Sequence, residues 1–291
     1  MARRRYSDHD AIRKSLLTEC PRCHYMIPPA ELSRPGQDWN LVRCPKCQHE
    51  FIVPQKATRR ISNHADDYFF LSSVLAVIVV VFVGFTPTYY LAPVFHAPAL
   101  PSVIVHLHGA VFTGWILLLL VQVLLVLAGR RSWHMQLGIF GVVLAPFMVI
   151  LGFATLIAAL RRQFLPPSVG EEVFAYDAFH LSFFAAMVLW GFLVRSNGPA
   201  HKRLMLIATF SILGPALARW PYPALTSNNW YFSSVLDLFL VFMIGFDIWS
   251  RRRPHLTTVL GASFIVAMQM AFIPIAQTAV WHRLMTLVRS F

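Results

Sequence analysis

From Tyr68 onward the chain alternates long apolar runs with short polar or proline-rich breaks, and the 67 residues before it hold no such run. Seven runs, over 68–90, 102–128, 135–160, 173–195, 202–220, 230–250 and 256–280, approach or exceed the length that crosses about 30 Å of hydrocarbon at about 1.5 Å per helical residue. The pattern predicts an all-α membrane protein, a bundle of about seven transmembrane helices behind a small hydrophilic head. The fifth run is the weakest: Arg203 and Arg219 bracket fifteen uncharged residues, and Pro215 interrupts them. A re-entrant segment there would lower the count to six. Pro146, Pro215 and Pro274 should bend their helices and leave carbonyls for neighbours or water to satisfy.

Composition sharpens this picture. Of 291 residues 57% are hydrophobic and 13% charged, against roughly a quarter charged in soluble domains. A soluble enzyme, a secreted disulfide scaffold and a disordered tail are excluded. Residues 1–67 hold 12 of the 25 Lys+Arg and 8 of the 13 Asp+Glu, so the remaining body is sparsely charged. No cleavable signal peptide is evident, because the first apolar run starts too far from Met1. The amino terminus is therefore expected in the cytoplasm.

The net charge of +12 sits largely in clusters between the runs, such as Arg130-Arg131, Lys202-Arg203 and Arg251-Arg252-Arg253. That is the look of cytoplasmic loops, not of a nucleic-acid face. With the head inside, eleven basic residues fall on the cytoplasmic side and five on the other, Arg161, Arg162, Arg219, Arg283 and Arg289, which puts the carboxyl end outside. Trp220, Tyr222, Trp230 and Tyr231 would then form an outer aromatic belt.

All four cysteines lie in the head, as Cys20-Pro21-Arg22-Cys23 and Cys44-Pro45-Lys46-Cys47 with twenty residues between the pairs. Each two-residue gap lets a tight turn aim two thiolates at one point, and four thiolates complete a tetrahedral shell around Zn²⁺ at about 2.3 Å. A head this small has too little core to fold alone, so the metal would supply most of its folding energy. Two disulfides are the alternative, opposed by the reducing cytoplasm; a redox pair is the other, opposed by the lack of a βαβ pattern. The sequence thus divides into a basic tail (1–17), a β-rich zinc ribbon (18–54), a linker (55–67) and the transmembrane body (68–291).

Thr18 to about Pro54, with its Cys-Pro-Arg-Cys and Val42-Arg43-Cys44-Pro45-Lys46-Cys47-Gln48-His49-Glu50-Phe51, resembles the small bacterial zinc-ribbon family termed zinc finger/thioredoxin-like. That family more often has glycine after the last Cys of each knuckle, where this chain has His24 and Gln48. The resemblance implies structural zinc and the docking of a cytoplasmic partner protein, with no activity. His24 and His49 read as solvated bystanders. The stretches His106-Leu107-His108-Gly109, Trp133-His134-Met135-Gln136-Leu137-Gly138 and His201-Lys202-Arg203-Leu204 resemble those of bacterial polytopic membrane proteins of unassigned activity. This implies a shared bundle in the bacterial inner membrane.

In hydrocarbon an unpaired charge costs a few kcal/mol or more, so each ionisable residue inside a span marks a site. His106, His108, Asp177, His180 and Asp237 all fall about 6–11 Å below the outer surface by helical rise. Asp177 and His180 share one helix face, with the spacing of the E-x-x-H metal motif of helical bundles. His106 and His108 point about 200° apart, so one of them would join a common centre. Haem, a second metal, a proton or ion path, and a purely structural network all fit such a cluster. At the cytoplasmic end His134, His201 and His255 each begin a helix beside basic residues, with Asp247 near. Helix capping and mutual pairing, including Arg203 with Asp247, account for that group. No nucleophile elbow and no phosphate-cradling glycine loop is present. The sequence names no reaction; it leaves a metal- or haem-dependent membrane protein, an anchor or sensor docking a partner through the head, and a proton or ion transporter.

Overall fold

The computed structural model describes residues 18–27, 39–54, 64–100, 102–163, 165–222, 224 and 229–290. It divides into two compact units, Met1–His64 and Ala65–Phe291. The basic tail over 1–17 and most of the linker over 55–67 lie outside the described residues.

In the first unit β1 (Thr18–Glu19) pairs antiparallel with β2 (Met26–Ile27), and β3 (Trp39–Arg43) with β4 (Glu50–Pro54). Each hairpin carries one cysteine pair in its turn. Arg43 lies opposite Glu50 in the register, and their side chains form an ion pair at 3.3 Å. The β structure expected to make the head β-rich is limited to these short hairpins. Isolated two-stranded hairpins have little hold of their own, and among the described residues the buried hydrophobic core of the head is Cys20, Ile27 and Cys44.

The second unit is helical. Its helices are α1 (His64–Phe85), α2 (Val103–Leu127), α3 (Arg131–Arg161), α4 (Pro167–Leu193), α5 (Gly198–Ser211), α6 (Gly214–Leu217), α7 (Asn229–Arg251), α8 (Leu256–Ala276) and α9 (Ala279–Ser290). Six of them, α1 to α4, α7 and α8, are long and apolar enough to span a membrane. Their outward faces are apolar, with Val79, Phe82, Ile139, Phe140, Val143, Phe242 and Leu256 among the exposed side chains. An apolar exterior of this kind requires a lipid solvent. α1 starts four residues ahead of the hydropathy boundary because Asp66 and Asp67 sit in its first turn, where the helix dipole favours acids. It leaves through a wide π-helical turn, Thr86–Tyr90. Helices α3 and α8 continue through Pro146 and Pro274.

The fifth apolar run is not a sixth-rank copy of the others. It is a fourteen-residue helix and a four-residue one, separated at Ile212 and Leu213. Pro215 has no N–H to continue the ladder and disfavours helix at the residue before it. The chain tightens into short-range bonds instead, Ile212 N to Thr209 O at 3.4 Å and Leu213 N to Phe210 O at 3.2 Å. This broken segment is the most enclosed part of the bundle: Arg203, Leu204 and every residue from Leu206 to Ser211 are buried, as are Leu213, Gly214, Ala216 and Leu217. It packs on α4, α7 and α8. One end meets the start of α1, where Lys202 pairs with Asp66. The other meets the end of α1, where Trp220 Nε1 donates to Val80 O at 3.1 Å and the Arg219 guanidinium lies over Phe85. Between these points a Cβ on Gly84 would overlap the Ala216 carbonyl, so α1 and α6 touch backbone to backbone. Trp220 is half-buried, packed against the core of the bundle. Tyr222 is exposed, and the side chains of Trp230 and Tyr231 lie outside the described residues.

α9 is an element the apolar runs do not reveal. Met285 is buried against Leu160, Phe174 and Ala178, while Val280, Leu284 and Leu287 face outward. Glu171, buried in α4, ties it down by pairing with His282 and with Arg289 at 2.8 Å.

Candidate functional site

The clearest site is the thiolate cluster of the head. The sulfur atoms of Cys20, Cys23, Cys44 and Cys47 all lie within 4.8 Å of one another, and none forms a disulfide. Cys20 and Cys47 are 3.7 Å apart and Cys23 and Cys44 3.6 Å. A tetrahedral shell with bonds of about 2.3 Å requires sulfur separations of about 3.8 Å, so the four fit a Zn²⁺-sized thiophilic ion.

The two knuckles are built alike. Cys20 N bonds to Tyr25 O and His24 N to Cys20 O; Cys44 N bonds to His49 O and Gln48 N to Cys44 O, all at 2.9–3.0 Å. Both closing residues, His24 and Gln48, are left-handed with φ of 58°. These are the positions where the resembling family prefers glycine, and the geometry shows why. Burial pushes the Cys44 thiol up, but amide hydrogen bonds from Cys47 and Lys46 and the neighbouring thiols outweigh it and bring it to about 7. A thiolate is therefore at hand near neutral pH. His24 bonds to Glu19 at 2.6 Å and His49 stacks near Phe51; neither joins the cluster.

In the bundle, the residues expected in the outer half separate. His106 is exposed on α2, with its backbone oxygen accepting from Tyr89. His108 turns inward against Phe112, and its buried Nδ1 has no partner. His180 is 2% exposed and stacks on Tyr176 with ring centroids 4.0 Å apart. Its Nδ1 lies 2.8 Å from Tyr176 O, so Nδ1 carries the proton and Nε2 is a bare acceptor. That Nε2 and the Tyr176 hydroxyl are both buried without a hydrogen-bond partner. Asp237 accepts from the buried Gln269 amide at 3.1 Å. Asp177 follows Tyr176 directly on α4, and Arg219 stands at the far end of the broken segment. Tyr176 faces the break in the α5–α6 segment, since a Cβ on Gly214 would strike its ring, and Ser211 Oγ reaches His180 O at 3.4 Å.

Phe232 of α7 and Phe272 of α8 pack on the Tyr176 ring as well, so that α5, α6, α7 and α8 all reach the Tyr176–His180 pair on α4. Among the described residues, however, only the four cysteines form a group of three or more metal ligands. Tyr176 is absent from the sequence expectation, which sets Arg219 at the depth of the outer cluster and reads Gln269 as packing. A tyrosine one turn before a membrane histidine was the available signal, since i and i+4 share a face.

The other end of the bundle is different in kind. Arg203 and Asp247, both fully buried, are joined by Arg203 Nε at 3.0 and 3.2 Å from the two carboxylate oxygens and by a further bond from its terminal nitrogen. Thr258 Oγ1 and His255 N donate to the same carboxylate at 2.7 and 3.2 Å, and Arg203 also reaches Pro199 O at 3.0 Å. His255 caps α8 by accepting from Thr257 N. The pairing and capping expected there are present.

No protein-family model matches the chain, and no curated protein or solved structure matches it.

Proposed function

We propose that the chain is an integral membrane carrier of protons or small ions, with a structural zinc ribbon as its amino-terminal head. One observation carries the carrier reading: a broken, largely buried helix passes two unpartnered polar atoms, His180 Nε2 and the Tyr176 hydroxyl, inside an apolar bundle. Buried polar groups are normally satisfied, and exceptions mark catalytic sites, ions or water. Interrupted helices that expose polar groups near mid-membrane are the usual construction of transport sites. Counted with the broken segment, the bundle makes seven crossings. The excess of basic loops supports a head on the cytoplasmic face of a bacterial inner membrane and a carboxyl end outside.

In this reading Asp237, held by Gln269, and Asp177, next to Tyr176 on α4, collect the cation or proton. The bare Nε2 of His180 receives the proton and releases it on the far side, and the Tyr176 hydroxyl offers a hydrogen bond to the ion or water in transit. His108 lines the entrance; His106, outward on α2, takes no part. Zn²⁺ bound by Cys20, Cys23, Cys44 and Cys47 supplies the folding energy that the head's small core lacks.

The test is proton flux into liposomes containing the full chain, followed with a pH-sensitive dye. Flux should collapse in His180→Ala and in Asp237→Asn and persist in His106→Ala. Absent flux, or flux indifferent to both inner variants, ends the proposal. Elemental analysis should find one zinc per chain, lost in Cys44→Ser.

A further inference from the structure

We propose that His134 and His201 form a metal site at the Asp66 end of the bundle, taking a first-row transition-metal ion through two neutral imidazoles. The two residues open α3 and α5, and their rings stand 6.3 Å apart, centroid to centroid, with planes at 89°. Each ring is fixed from behind by a backbone carbonyl. His201 Nδ1 lies 2.8 Å from Gly191 O, and His134 Nδ1 lies 3.4 Å from Gln122 O. A carbonyl only accepts, so in both rings Nδ1 holds the proton and Nε2 keeps a free lone pair. Anchoring the far nitrogen on a carbonyl is how proteins orient histidines towards a metal.

Neither Nε2 has a hydrogen-bond partner among the described residues, and two lone pairs offer each other nothing. An electron-pair acceptor between them satisfies both. With metal–nitrogen bonds of about 2.0 Å and about 1.1 Å from each nitrogen to its ring centre, rings sharing one ion lie about 5 Å apart at a tetrahedral angle and about 6.3 Å apart when opposed. The observed separation fits opposed ligands. Imidazole donors select transition metals over magnesium and calcium, and opposed ligands suit the square-planar or octahedral shells of copper and nickel rather than tetrahedral zinc. Of the cations beside His201, Lys202 is paired with Asp66 and Arg203 with Asp247. The position of His201 is firmly set, because at Gly191 helices α4 and α5 approach so closely that a Cβ would strike Met205 and Leu204.

The site is independent of the transport proposal and of the head, and stoichiometry tests it. Untagged full-length protein, already loaded with zinc on the cysteines, is titrated calorimetrically with Ni²⁺ and separately with Co²⁺. The expected result is one further ion per chain, bound at least tenfold more weakly in His134→Ala and in His201→Ala and unchanged in His106→Ala. Should either variant fail to elute as folded protein, the other, on a different helix, decides. No ion beyond the cysteine-bound one with either metal, or unaltered affinity in the folded variants, overturns the assignment.

Discussion

The two polar centres of the bundle differ in how completely their groups are satisfied. Around Arg203 and Asp247, carboxylate and guanidinium are bonded to each other and to Thr258, the His255 amide and Pro199 O. Around Tyr176 and His180, a hydroxyl and an imidazole nitrogen are buried with nothing to bond. Burial of this depth penalises both arrangements, but only the first returns the penalty through contacts within the chain. A closed network fixes the packing of α5, α7 and α8. An open one is poised for something that comes and goes.

The sharpest way to break this contrast is to leave one charge of the closed centre alone. Arg203→Ala or Asp247→Ala should each cost about 3–5 kcal/mol, seen as a large drop in detergent unfolding temperature or in the amount of folded protein recovered. Replacing the pair together, Arg203→Met with Asp247→Leu, should recover most of that loss. Equal damage from single and double variants would contradict a pair valued for mutual compensation.

At the open centre, Tyr176→Phe removes a hydroxyl that bonds to nothing. Stability should change by less than about 0.5 kcal/mol, and upward, while liposome flux falls at least tenfold. A clear loss of stability would place Tyr176 with the structural residues and erase the distinction between the two ends.

The smallest effect belongs to His255, at the mouth of the closed centre. Burial first, then the Arg203 and Arg251 charges, hold its imidazole below the ordinary range. The folded state therefore favours neutral His255. Its contribution is complete above the unfolded value of about 6.5 and is lost as pH falls through the lower folded value. His255→Asn keeps a capping side chain without that titration. The variant's unfolding temperature should fall less than the wild type's between about pH 6.5 and 5.

Much of this was legible in the sequence. Spacing alone predicted the convergence of four thiolates, because a two-residue gap constrains geometry locally. Arg203 and Asp247 could be paired in advance because hydrocarbon leaves two isolated charges few alternatives. The fifth run was less transparent: hydropathy cannot separate fourteen residues enclosed by protein from residues facing lipid, although Pro215 marked the break. Glu171 escaped notice because it lies just ahead of the apolar window of its helix. α9 escaped because Trp281, Met285 and Val288 recur at helical spacing in a segment too polar to register as a span. The outward turn of His106 and the inward turn of His108 followed from their angular separation, but which one faced in depended on Tyr89 and the π-helical turn that places it beside α2.

The contact at Gly84 limits how this molecule can change shape. Main chain rests on main chain there, with no side chain to rotate aside, so α6 and the end of α1 must travel as one piece. In the proposed carrier, room for an ion beside Tyr176 would then come from the opposite wall, where α7 and α8 pack on its ring.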